Sequence, residues 1–257
     1  MHLIVALLHA GHKVASIDVD AAQGTLTRYV ENRRRHARET GRDFPMPEHE
    51  IVPQAIGAES TLDERIIKLA GSHAYVVVDT PGYDLPLSRR AHAWADTLIT
   101  PINDSFVDLD VLANVLSDPG ALIQRQRYAD VVRQANRART IVGRSPIDWL
   151  VLRNRLSNLD ARNRRKVADA LAAMSKQAGF RQGPGLRERV IYRELFQSGL
   201  TLLDLPNAGP VASLTMSHVA ARQEVRQLLE SIQTTARSAA ETASQDACPA
   251  ALTASSG

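Results

Sequence analysis

Short apolar, β-branched runs alternate along the chain with longer stretches whose apolar positions recur every three to four residues. That is the pattern of βα units around a parallel sheet. The chain opens on MHLIVALLHAGHKVASIDVD, an apolar helix-like run, a Gly turn and a strand predicted over Val14 to Asp18. AYVVVDTPG predicts a second strand at Tyr75 to Asp79, and its continuous apolar run predicts burial on both faces. Further strands are predicted at Thr97 to Ile102, Trp149 to Arg153 and Leu200 to Leu205. Helical crossovers fall at about Leu62 to Ala70, Arg89 to Trp94, Val107 to Leu116, Tyr128 to Arg139, Asp160 to Ala178 and Ser217 to Ile232. In the helix from Asp160, Val167, Leu171, Met174 and Ala178 form one stripe that predicts the core face, leaving Arg162, Arg165 and Lys166 outside it. FPMPEHEIVP, Phe44 to Pro53, reads as a loop, and RYVENRRRHAR, Arg28 to Arg38, as a solvated helix face.

At 257 residues, 44% hydrophobic and 23% charged, the chain can bury a full core. A single cysteine, Cys248, excludes a disulfide framework and fits a reducing cytoplasm. Leu3 to Leu8 is far shorter than the roughly 20 residues that span a bilayer, and it lacks the flanks of a signal peptide. From 234 to 257 few residues are large enough to pack, so an Ala/Ser/Thr-rich disordered tail is expected after a domain spanning 1–233. The net charge is only +3, but 27 arginines stand against four lysines and they cluster. Clustered Arg favours phosphate-rich partners, and a solvated surface is the competing reading.

In an open parallel sheet, ligands bind beyond the carboxyl ends of the strands. Those ends carry Asp18, Asp20, Asp79, Asn103, Asp104 and Asn154. An apolar strand ending in Asp79, then Thr80, Pro81 and Gly82, is how a P-loop ATPase places the carboxylate that holds Mg²⁺ through water, with a Gly near the γ-phosphate. The competing reading has Asp79 capping the next turn. Carboxylates two residues apart, Asp18 and Asp20, can place one group near the metal and one at the attacking water. His9 and His12 share a helix face but lack an acidic or third ligand, so they predict no metal site.

The order IDVD, VVVDTPGYD, TPINDSFVDLDVL, DWLVLRNRLSNLDARNRRKV and GFRQGPGLRERVIYRELFQSGLTLLDL resembles the MipZ family of division-plane positioning ATPases, in the deviant Walker MinD/ParA class. The resemblance covers nearly all of Met1 to Ile232. It implies a P-loop NTPase-like, mostly parallel α/β sheet flanked by helices, with ATP and Mg²⁺ as cofactors. It further implies that Asp20 orients the hydrolytic water, that Asp18 supports and Asp79 forms the Mg²⁺ site, and that Gly82, Asn103 and Asn154 lie at the nucleotide. The family's phosphate loop should precede the first helix, and none of Lys13, Lys68, Lys166 and Lys176 lies in a Gly-rich strand-to-helix loop. The expectation is therefore a chain that starts inside the first helix, with the P-loop strand and loop missing. A misplaced start and true loss of the loop compete. Losing a central strand would leave buried backbone groups unpaired at about 1–3 kcal/mol each, which favours a misplaced start.

The resemblance also implies an ATP-bound homodimer that binds DNA non-specifically, engages ParB-like and FtsZ-like proteins, and is cytoplasmic and nucleoid-associated. Arg155, Arg162, Arg164, Arg165, Lys166, Arg187, Arg189 and Arg193 are the candidate DNA contacts; the competing reading is that some of them, especially Arg187 and Arg189 beside Glu188, stabilise the fold or the nucleotide loop. No basic amphipathic helix closes the chain, so no membrane attachment is expected. A ParA-type partitioning ATPase and a nucleotide-free DNA- or partner-binding remnant are the alternative readings.

Overall fold

A computed structural model describes residues 1–112, 128–156, 161–205 and 215–246, without the side chains of 161–164 and 233–246. Among the described residues six strands pair, all in parallel. β1 (Val14–Asp18) lies between β2 (Glu48–Ile51) and β3 (Tyr75–Asp79), and β5 (Asp148–Asn154) lies between β4 (Thr97–Asn103) and β6 (Arg181–Gln182). The helices are α1 (His2–His9), α2 (Thr25–Thr40), α3 (Ala58–Ala70), α4 (Pro86–Trp94), α5 (Phe106–Leu112), α6 (Tyr128–Ile141), α7 (Ala161–Ala178), α8 (Ile191–Ser198) and α9 (Met216–Asp246). Parallel α/β architecture with covering helices is thus as the apolar periodicity predicts.

Packing follows the periodic stripes. Val167, Leu171 and Met174 of α7 are buried against Trp149 and Val151 of β5, with Ala178 packed at the edge. Leu62, Ile66 and Leu69 of α3 cover Ala15 and Ile17 of β1. The two sheets are joined by α1 and α9. Leu3 of α1 meets both the cluster of Val14, Val30 and Leu7 and the cluster of Leu150, Leu228 and Ile232.

Five expectations change. Every residue of β3 is half-buried, not buried on both faces, because β3 is the end strand of its sheet and pairs only with β1 among the described residues. Leu200 to Leu205 is a buried turn, not a strand. The Thr201 amide and hydroxyl both donate to Asp204 Oδ2 at 2.7 Å, which curls the segment back on itself. The Phe44 to Pro53 stretch contains β2, a polar edge strand hidden from apolar-pattern reading by its Glu-His-Glu composition. The last helix runs on through Ala236, Ala239, Ala240 and Ala243 to Asp246, past the start of the expected tail. Alanine is the strongest helix former, so a stretch with few large side chains can still be helical. Residues 113–116 of the predicted third crossover, Asp160 of the fifth and 247–257 of the tail lie outside the described residues.

The solvated reading of Arg28 to Arg38 fails at one residue. Arg33 is fully buried. Its Nη1 donates to Asp204 Oδ2 at 2.7 Å and to the Gly199 carbonyl at 3.1 Å, its Nη2 to Asp204 Oδ1 at 2.7 Å, and its Nε to the Pro45 carbonyl at 3.0 Å. The guanidinium also lies 5.3 Å from the Phe44 ring centroid. This fork fastens α2 to the segment following α8. Gly199, at φ +63°, lets the two backbones touch.

Candidate nucleotide-hydrolysis site

Parallel register brings the ends of β1 and β3 together, pairing Asp18 with Asp79, and the Val19 amide donates to the Asp79 carbonyl at 3.0 Å. Asp20 lies two residues on, so three carboxylates from two segments share one rim. α1 runs back along β1, so its N-terminal end faces the same rim, where a helix dipole favours negative charge.

The three carboxylates are not equivalent. Asp18 is fully buried and its oxygens are taken by internal donors: Oδ1 accepts the Asp20 amide at 3.0 Å, and Oδ2 accepts the Thr27 amide at 3.0 Å and the Thr27 hydroxyl at 2.7 Å. Those bonds grip both ends of the loop that carries Asp20. They also satisfy one of the orphan donors at the start of α2, whose own cap residue, Gly24, supplies no side chain. The support expected of Asp18 toward a metal is, in this geometry, exerted through the loop it holds. Asp20 is partly exposed, and its carboxylate makes one long contact, with the Gln23 amide at 3.4 Å. Asp79 is half-buried. Burial pushes its carboxyl above the usual range, the Met1 amine opposes this, and the negative charges of Asp18 and Asp20 add to the rise.

Behind Asp18 stands a chain of neutral groups that sequence reading missed. His49 on β2 places Nδ1 2.9 Å from the Ser16 hydroxyl and Nε2 3.1 Å from the Thr27 hydroxyl. Burial lowers the His49 pKa, with Asp18 and Glu31 opposing and Arg34 assisting, so the ring is neutral at neutral pH. No local sequence signal marks His49, because its partners come from other elements.

Asn103 and Asn154 stand side by side in register at the ends of β4 and β5. The Asn103 amide is held by Asp108 Oδ2 at 2.7 Å, and Arg153 reaches Asp104 at 3.2 Å. Gly82 is exposed with no atom within 4 Å of where a Cβ would stand. The predicted nucleotide-side residues therefore divide between the two sheets: Asp18, Asp20, Asp79 and Gly82 belong with the first, Asn103 and Asn154 with the second.

The candidate DNA contacts also divide. Arg165 and Lys166 are exposed near the start of α7, and Arg155 is exposed at the end of β5 with φ +52°. A residue without glycine's freedom holds this left-handed conformation only where its surroundings fix it, and here the next residue is locked by a bridge between Leu156 and Arg187. Arg187 lies 4.0 Å from Glu224, and Arg193 lies 3.4 Å from Glu188. Arg189 is largely buried, bonded to Glu224 at 2.6 Å and Ser217 at 2.8 Å, so it ties the loop before α8 to α9. The side chains of Arg162 and Arg164 lie outside the described residues.

Among the described residues no group of three or more His, Cys, Asp and Glu side chains is arranged to hold a metal by itself, and no helix is long and apolar enough to cross a membrane. Asp79 nevertheless offers the carboxylate oxygens that Mg²⁺ prefers, at a rim where burial first, and then the charges of Asp18 and Asp20, raise its pKa.

Comparison with solved structures supports the same fold. The chain is similar to apo McdA from Cyanthece, with TM-score 0.56 and 17% identity over 90% of this chain and 92% of that one. It is also similar to the cell division ATPase MinD of Pyrococcus furiosus, with TM-score 0.55 and 14% identity over 91% of each chain. The septum site-determining protein MinD of Pyrococcus horikoshii, solved with Mg-ADP, gives TM-score 0.53 and 15% identity over 91% of this chain and 89% of that one. No curated protein sequence matches. The family model described as ATPase MipZ matches residues 1–236. That match spans both sheets and every candidate residue, and the chain belongs to the MipZ ATPase family.

Proposed function

We propose that the protein is a MipZ-type switch: it dimerises on ATP, the dimer binds DNA without sequence preference, and it positions the division site by inhibiting FtsZ assembly, with a ParB-like protein as the loading partner. The observation that carries the hydrolytic part is the meeting of Asp20 and Asp79 at one rim, with Asp18 holding the Asp20 loop. Asp79 would hold the water shell of Mg²⁺, Asn103 and Asn154 would meet the nucleotide from the second sheet, and Gly82 would leave room beside the terminal phosphate. Bound Mg²⁺ supplies charge neutralisation at the phosphates. Asp20, with a carboxylate little used by its own loop, would orient the attacking water and accept its proton.

Asp20→Ala is expected to lower ATP turnover by roughly 10²-fold and to trap the ATP dimer on DNA, measured by phosphate release and by sedimentation with DNA. Unchanged turnover removes Asp20 from the role. If the chain neither binds nor hydrolyses ATP, the nucleotide-free reading replaces the switch.

The exposed cations Arg155, Arg165 and Lys166 support contact with a phosphate backbone, whereas Arg189 is committed to Glu224. Replacing Arg165 and Lys166 together by Ala is expected to weaken binding equally on unrelated DNA sequences and to flatten the dependence of log K on log salt by about two phosphate contacts. A loss confined to one sequence contradicts backbone binding. Thermal melts should not move, because neither side chain is buried.

A further inference from the structure

We infer that His49 is a positioning residue for Asp20, acting through Thr27 and Asp18. The inference rests on the hydrolytic role proposed above for Asp20, but its first link is geometric. A carboxylate only accepts hydrogen bonds, so the Thr27 hydroxyl spends its one proton on Asp18 Oδ2, 2.7 Å away. Toward His49 that hydroxyl oxygen can then only accept, and Nε2, at 3.1 Å, must carry the ring proton. Nδ1 is left as an acceptor, and the fully buried Ser16 hydroxyl donates to it at 2.9 Å. All the bonds in this chain point one way: Ser16 to His49, His49 to Thr27, Thr27 to Asp18.

The direction matters because Asp18 is the post to which the Asp20 loop is tied. Its Oδ1 holds the Asp20 amide and its Oδ2 holds the first turn of α2. Without His49, the Thr27 hydroxyl can rotate and Asp18 loses a fixed donor, so the loop from Val19 to Gly24 can move relative to β3 and Asp79. His49 hydrogen-bonds to Ser16 and Thr27, not to a rim carboxylate. It comes from β2, which pairs with β1 on the side away from β3.

The substitutions that separate this from a packing role are His49→Leu, which removes both ring nitrogens, and His49→Gln, whose side-chain amide can still donate to Thr27. Amide exchange needs no nucleotide and reads the loop directly. His49→Leu is expected to speed exchange at the Asp20 and Thr27 amides by roughly tenfold or more, and His49→Gln to stay near wild type, with β3 and α4 unchanged in both. In wild type, ¹⁵N shifts of labelled histidine should report the Nε2–H tautomer. Equal protection in His49→Leu and wild type, or an Nδ1–H tautomer, overturns the proposal. In ATP turnover, His49→Leu should lower kcat with little change in KM, and His49→Gln should restore it. An unchanged kcat in His49→Leu also overturns it. A wild-type chain that turns over no ATP removes the hydrolytic role of Asp20 and with it the catalytic consequence, while the exchange comparison still decides whether His49 holds the loop.

Discussion

Arg33→Leu is expected to destabilise the protein by about 3–5 kcal/mol, measured by urea or thermal unfolding, because it strands a buried carboxylate without its partner. That is a large part of a typical domain stability of about 5–15 kcal/mol. Four hydrogen bonds to Pro45, Gly199 and both oxygens of Asp204 disappear together. Arg33→Lys should lie between the two, since an ammonium keeps the charge but cannot make the fork. The double variant Arg33→Leu with Asp204→Leu should recover only part of the loss, because an apolar pair removes the desolvation cost of both ions but leaves the two buried Thr201 donors without their acceptor.

The pair also sets an acid limit. Burial alone would raise the Asp204 carboxyl, but the hydrogen bonds and charge of Arg33 and the two Thr201 donors outweigh it and hold the group below the usual carboxylate range. A depressed folded pKa means the unfolded state binds the proton first on acidification. The stabilisation is therefore complete above the ordinary carboxylate pKa of about 4 and is lost as pH falls through the lower folded value. Asp204→Asn should lose that part of the slope.

Gly199→Ala is expected to be nearly as damaging for a different reason. A Cβ there would stand 2.1 Å from the Arg33 backbone nitrogen and 2.4 Å from its Cα, with φ at +63°. The left-handed conformation alone costs an ordinary residue about 1–3 kcal/mol. The overlap adds to it, because backbone cannot swing aside as a long side chain can. We expect a loss of about 3 kcal/mol or more by denaturant unfolding, with the α2–α8 contact opened. Gly82→Ala is the control. It has negative φ and open space, and should change stability by no more than about 0.5 kcal/mol.

These two positions mark where sequence reading stops. Apolar periodicity finds β1 and the core stripe of α7 because the deciding interactions are local and repeat at a fixed interval. It finds Asp18, Asp20 and Asp79 because a carboxylate ending an apolar strand has a topological address. Arg33 has no such mark. It sits in a run of three arginines, and the acid that makes it a core residue lies 171 residues away. Leu200 to Leu205 misleads for the same reason: its apolar run looks like a strand until Thr201 and Asp204 close it into a turn around a guanidinium. At the site, the carboxylates were legible but their division of labour was not. Thr27 and His49, two ordinary polar residues on separate elements, decide that Asp18 holds a loop.

The 171-residue span between Arg33 and Asp204 also has a bearing on biosynthesis. A ribosome adding about 5–20 residues per second takes roughly ten to thirty seconds to travel that far. Throughout that interval α2 carries a guanidinium destined for the interior with no carboxylate yet made to receive it. The contact of α2 with the segment after α8 must wait until Asp204 has been made. Nascent chains stalled before and after codon 204 should differ sharply in protease resistance.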